Sequence, residues 1–177
     1  MVAKQQGGGR NIPGLPVGQR IPLSYPAGAA VMPWRPAEER SAWLATATTD
    51  SVSLATELLD SITELQVAVF RPRADDAGLV DVLADLLDAA GSDLLDGALR
   101  GRVLRQLANL TSRPYTRADL AGTETMPVSY LAAPVFDADG VARHEIQLGP
   151  LRSAVPASER SEYISMIRAA AESVSDR

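Results

Sequence analysis

Residues 128–148 read VSYLAAPVFDADGVARHEIQL, two strand-like runs separated by a short polar turn. The first run stays apolar as far as Phe136, and the second extends from Val141 to Leu148. Between them, Asp139-Gly140 is a pair that readily supplies the positive φ of a hairpin turn. The pattern predicts a β-hairpin that pairs residues 129–135 with residues 141–148.

Helical patterns lie on both sides of this hairpin. Apolar residues recur three and four positions apart, which predicts a helix near Pro36, a second over 51–64 and a last one from about 156 to 174. Residues 67–70, VAVF, are a compact β-favouring run that Pro72 ends, which predicts a strand. Helices mixed with hairpin-forming strands indicate an α+β fold rather than a doubly wound parallel one.

The chain has 177 residues, a length that favours one domain spanning 1–177. Residues 1–17 are rich in Gly and Pro, so we expect a flexible start, consistent with a domain truncated at that end. Residues 76–111 carry two helical patterns joined at Gly91, each with leucines and valines on one face. The first has carboxylates opposite that face, and the second has arginines among its polar positions. We interpret 73–114 as a helical insertion in the domain.

Composition excludes several classes of function. The chain has no Cys and one His, which excludes disulfides, thiolate metal sites, thiol nucleophiles and multi-histidine metal centres. The net charge of -5 disfavours nucleic-acid binding, because a nucleic-acid surface needs excess positive charge. No apolar run approaches the ~20 residues of a membrane span, so we predict a cytoplasmic protein without membrane contact.

Isolated features have ordinary interpretations. The Gly-rich run at 6–11 lacks the pattern of a phosphate-binding loop, and His144 has no triad partner in its surroundings. The acidic positions 81, 85 and 88 indicate a solvated helix face rather than a metal site. The arginines between 100 and 117 either pair with that acidic helix or bind an anionic partner. We therefore predict no enzyme activity, no catalytic residue, no metal and no cofactor.

Two segments together resemble a known family. GQRIPL at 18–23, followed by AGAA at 27–30, is similar to one signature of the effector domain of the isocitrate lyase regulator (IclR) family. LAAPVFDADG at 131–140 is similar to the other signature of that domain. The resemblance covers about residues 15–45 and 115–177, and it implies a GAF-like fold with a mostly antiparallel sheet flanked by helices.

The resemblance also implies a function and a site. It implies a domain that senses a small organic effector, either carboxylate or aromatic, and changes the DNA affinity of an N-terminal winged helix-turn-helix that this chain lacks. It further implies a homo-oligomer, a dimer or a tetramer. The effector-binding positions that it implies are Ala27 and Gly28 at a helix start, Asp119 in a loop, Tyr130 on the first hairpin strand, and Ile146 and Leu148 on the second.

The apolar character of Ile146 and Leu148 predicts a more apolar ligand than a two- or three-carbon keto acid. A structural or interaction module whose pocket is filled by its own side chains is the alternative hypothesis. A pocket near Gly28, Asp119 and Tyr130 would distinguish the two.

Overall fold

The computed structural model describes residues 23–48, 52–72 and 112–176. The helices are a 3-10 helix at Ala29–Trp34, α1 at Ala37–Leu44, α2 at Val52–Leu65, α3 at Arg117–Ala121 and α4 at Ala157–Ser173. The strands are β1 at Ala68–Arg71, β2 at Arg113–Pro114, β3 at Met126–Val128, β4 at Tyr130–Phe136, β5 at Ala142–Leu148 and β6 at Arg152–Val155.

The main sheet has four strands in the order β2-β1-β4-β5, and each neighbouring pair is antiparallel. The predicted hairpin, formed by β4 and β5, lies at one edge of this sheet. The Asp137 Oδ1 atom accepts the backbone N–H groups of Asp139 at 3.1 Å and Val141 at 2.9 Å, and Gly140 has φ of 75°. The turn therefore forms from local side-chain chemistry. Strands β3 and β6 make a separate two-stranded sheet.

Each face of the main sheet covers its own apolar cluster. The 3-10 helix, α1 and α2 pack on one face, around buried residues that include Met32, Trp43 and Phe70. Helix α4 packs on the other face, where Leu131 and Ile167 are buried. Since side chains alternate along a strand, adjacent positions of β1 and β4 contribute to different clusters. We call these surfaces the 3-10 face and the α4 face.

The α+β prediction is confirmed: the described residues form helices mixed with antiparallel strands. The predicted helical segment at 76–111 and the predicted flexible start at 1–17 lie outside the described residues. The predicted C-terminal boundary of the helical insertion at 73–114 is wrong, because Arg113 and Pro114 form strand β2. A residue before proline is disfavoured in the helical region, and proline has no N–H for a helix ladder. None of the described helices is long and apolar enough to cross a membrane.

Candidate functional site

The hairpin register separates the residues predicted to share one site. Leu131 lies opposite Leu148, and Ala133 lies opposite Ile146. Directly opposite residues of an antiparallel pair point to the same face, so Ile146 and Leu148 lie on the α4 face. Tyr130 precedes Leu131 and therefore lies on the 3-10 face. The expectation that one hairpin face carries Tyr130, Ile146 and Leu148 is wrong.

A β-bulge is the physical reason. Phe136 lies opposite Ala142, whereas the preceding Val135 lies opposite His144, so Arg143 is an extra residue on β5. Without it, the pairing set at the turn would place Tyr130 opposite Leu148. One inserted residue moves every later side chain of the strand to the other face.

The predicted positions on the α4 side have structural contacts. Ile146 and Leu148 pack against the apolar cluster beneath α4, beside Tyr163 and Ile164. Asp119 lies in helix α3 rather than in a loop. Its carboxylate accepts the backbone N–H of Thr116 at 2.9 Å and lies 3.6 Å from the Arg71 guanidinium.

Ala27 and Gly28, at the start of the 3-10 helix, lie on the same side of the main sheet as Tyr130. Gly28 has φ of 75°, and a Cβ atom there would clash with the Leu23 Cδ1 atom. The Leu23 side chain, 54% exposed, therefore covers Gly28 from the solvent side. Any side chain at Gly28 is strained by that φ as well as by the contact.

The backbone N–H groups at this helix start are already used. The Ala27 N–H donates to the Ser24 carbonyl at 2.8 Å, and the Ala29 N–H donates to the Pro26 carbonyl at 3.2 Å. The Ala30 N–H faces the Glu145 carboxylate and favours its charged form. The expectation that free N–H groups here attract an effector carboxylate does not hold for these three groups.

Glu145 and Gln147 are the β5 residues that face the 3-10 helix. Without the bulge, Ile146 and Leu148 would lie on that face instead. The Gln147 side-chain amide donates to Glu145 Oε1 at 2.6 Å. The Glu145 Oε2 atom is buried and has no hydrogen-bond partner among the described residues. Burial raises the pKa of Glu145, since desolvation penalises the charged carboxylate.

Two tyrosines pack against the apolar cluster on this face. The Tyr130 ring stacks on Phe70 with 4.3 Å between ring centroids, and its hydroxyl donates to Ser112 Oγ at 3.3 Å. The Tyr25 ring packs edge-on against Trp43 at 5.2 Å. Burial raises the pKa of both tyrosines, and the negative charge of Glu145 raises the pKa of Tyr130 further.

Aromatic side chains are concentrated on this face. Six of the eight aromatic residues in the chain belong to the 3-10 face cluster: Tyr25, Trp34, Trp43, Phe70, Tyr130 and Phe136. We define the candidate site as Leu23, Tyr25, Gly28, Tyr130 and Glu145. It combines apolar aromatic side chains with one buried carboxylate. The Oε2 atom of that carboxylate accepts no hydrogen bond from the described residues.

Two grooves lie elsewhere, along α4. One has a volume of about 240 Å³ and is lined by Leu65, Arg117, Leu120, Ala121, Ile164 and Arg168. The second has a volume of about 500 Å³ and adjoins the first at Arg168. None of the six predicted effector-binding residues lines either groove.

Sequence reasoning missed Glu145, Gln147 and Tyr25. Glu145 and Gln147 alternate with Ile146 and Leu148, so the sequence shows two strand faces but not which one meets the 3-10 helix.

Comparison of the chain with protein-family models, curated proteins and solved structures finds no match.

Proposed function

We propose that this chain is a small-molecule-sensing regulatory domain with a GAF-like fold, of the kind found in IclR-type transcriptional regulators. Its effector binds on the 3-10 face, against Gly28, Tyr130 and Glu145. The proposal rests on the resemblance of the 18–30 and 131–140 segments, on the α+β layering, and on the chemistry of this face.

The observation that carries the proposal is the unpaired, buried Oε2 atom of Glu145. Leaving a buried acceptor without a donor costs about 1–3 kcal/mol, so such atoms are rare unless a ligand or water serves them. Five more groups on the same face are aromatic or amide side chains that suit an organic molecule: Tyr25, Trp43, Phe70, Tyr130 and Gln147. A bound effector would supply the missing donor.

This geometry selects an aromatic effector that carries an amine or hydroxyl group. A donor group satisfies Glu145 Oε2, and the ring packs against Tyr25 and Tyr130. An effector carboxylate at the same position would face the Glu145 carboxylate in a poorly solvated setting, where like charges repel strongly.

Effector binding at Glu145 acts on the neighbouring 3-10 helix. The Glu145 carboxylate faces the 3-10 helix at the Ala30 N–H. A ligand that shares this carboxylate changes the free energy of that contact, and it therefore favours one arrangement of the 3-10 helix over another. In a homo-oligomer, this shift couples effector binding to the DNA affinity of an attached winged helix-turn-helix, while this domain itself does not bind DNA.

A non-catalytic interaction module with a self-filled pocket is the second candidate. The contact of Leu23 with Gly28 favours it, because the space that an effector would use at Gly28 is occupied by the chain itself.

Binding of tyramine separates the two functions. Leu23→Ala uncovers Gly28, so a sensing domain should bind tyramine several-fold more tightly than the wild type by calorimetry. Glu145→Gln should weaken the binding by about tenfold, because it removes the charged acceptor. Met166→Ala serves as the control, since Met166 is a comparably exposed apolar residue on α4.

Two results together support the interaction module: Leu23→Ala loses thermal stability, and tyramine shows no saturable binding to any variant. Tyramine affinity that is equal in the wild type, Leu23→Ala and Glu145→Gln would place the binding outside the candidate site.

A further inference from the structure

The 240 Å³ groove on the α4 side has the composition of a ligand site, independently of the candidate site. Its floor is apolar: Leu65 ends α2, Leu120 and Ala121 end α3, and Ile164 belongs to α4. Arg117 and Arg168 line the same groove. An apolar floor with a few convergent charged groups is the usual build of a small-molecule site.

The two arginines differ in how they are paired. Arg117 forms an ion pair with Glu64, in which both side chains are about half exposed or more. Exposed pairs of this kind contribute little, so the guanidinium exchanges partners readily. Within the described residues, the Arg168 side chain has no hydrogen-bond or ion-pair partner. It lies at the junction of the two grooves.

Charge and size restrict the ligand. Glu64 on the rim is paired with Arg117, and Glu172 lines the second groove rather than the first. The first groove therefore favours an anion. A dry cavity of about 150 Å³ is large enough for benzene, so a volume of about 240 Å³ accommodates one ring with a carboxylate.

We propose that the groove between α2, α3 and α4 binds a small organic carboxylate, with its ring on Leu120 and Ile164 and its carboxylate between Arg117 and Arg168. Guanidinium groups suit a carboxylate because their N–H donors match its two oxygens. This site lies on the α4 face and is separate from the effector site proposed on the 3-10 face.

Matched probes test the charge requirement. Benzoate, benzamide and benzylamine share a ring and differ in the charge of the attached group. Titration calorimetry on the full chain should give benzoate an affinity about tenfold or more above that of benzamide, with no saturable binding of benzylamine. Arg168→Gln should weaken benzoate by about tenfold, whereas Arg35→Gln, on the other side of the sheet, should leave it within about twofold.

Steric blocking locates the ligand. Ala121 and Ala169 are both exposed, and they line the first and the second groove respectively. Ala121→Phe should abolish benzoate binding, while Ala169→Phe and Glu145→Gln should retain it. An unchanged circular dichroism melting curve establishes that each variant is folded.

Four results would overturn the proposal. They are equal affinities for benzoate and benzamide, benzoate binding that survives Ala121→Phe, no saturable benzoate binding at millimolar concentration, and binding of an acidic peptide but not of benzoate. Each of these leaves the tyramine experiment at Glu145 to be decided on its own.

Discussion

The backbone N–H of Ala30 faces the carboxylate of Glu145 and favours its charged form, so the 3-10 helix and the edge strand β5 meet at these two residues. This arrangement depends on the β-bulge at Arg143, because the bulge directs Glu145 toward that helix. Within the part of the chain that the structure describes, the Oε2 atom of this carboxylate has no hydrogen-bond partner. The same side chain thus supports the fold and offers an acceptor to a ligand.

Glu145 should make stability depend on pH in a defined direction. Its folded pKa is raised above the ordinary value of 4.5, so the folded state holds a proton that the unfolded state has already released. The wild type should therefore lose stability relative to Glu145→Gln as the pH rises above 4.5 toward the folded pKa. The slope is at most about 1.4 kcal/mol per pH unit. Urea unfolding of both proteins between mildly acidic and neutral pH measures it, and a constant difference would contradict the assignment.

Asp137 should make stability depend on pH in the opposite direction. Arg143 and two backbone N–H groups hold the pKa of Asp137 below its ordinary value of 3.8. Its contribution to stability is complete above 3.8 and is lost as the pH falls through the folded pKa. Asp137→Ala should destabilise more than Asp137→Asn, because Asn keeps the acceptor oxygen of the turn. Equal unfolding midpoints for the two variants would show that the turn does not need this acceptor.

Arg160 should be a structural anchor. Its side chain is 2% exposed, and it donates to the Gly122 carbonyl at 2.6 Å and to the Glu124 carbonyl at 3.2 Å. Arg160→Met should cost about 2–4 kcal/mol, since it leaves two carbonyls unpaired. Arg168→Gln is the control on the same helix, and a surface change of this kind should stay within about 0.5 kcal/mol. Similar unfolding free energies for the two variants would refute the anchor role.

Gln66 offers a stabilising substitution. It follows helix α2 with φ of 54°, a left-handed conformation that costs a residue with a side chain about 1 kcal/mol or more. Gln66→Gly should raise the melting temperature, and Gln66→Ala should not, because alanine keeps the Cβ atom. A melting temperature that rises equally in both variants would assign the effect to the lost glutamine side chain.

Local sequence signals predicted much of the fold. The Asp137–Gly140 turn and the apolar runs at 67–70 and 131–136 depend on nearby residues, so the hairpin, strand β1 and the helices around them follow from the sequence. The site could not be predicted to the same depth. A single extra residue, Arg143, moves the later side chains of β5 to the opposite face of the sheet, and no local pattern marks that bulge. Leu23 covers Gly28 only through a tertiary contact, which spacing along the chain does not reveal.

The most direct test of the effector site is the amide spectrum of the isotope-labelled protein during titration with tyramine. Binding on the 3-10 face should shift the Ala30 and Glu145 amide resonances saturably, and Glu145→Gln should lose most of that response. Unchanged Ala30 and Glu145 resonances at millimolar tyramine, or the same shifts in Glu145→Gln, would contradict the proposed sensing function.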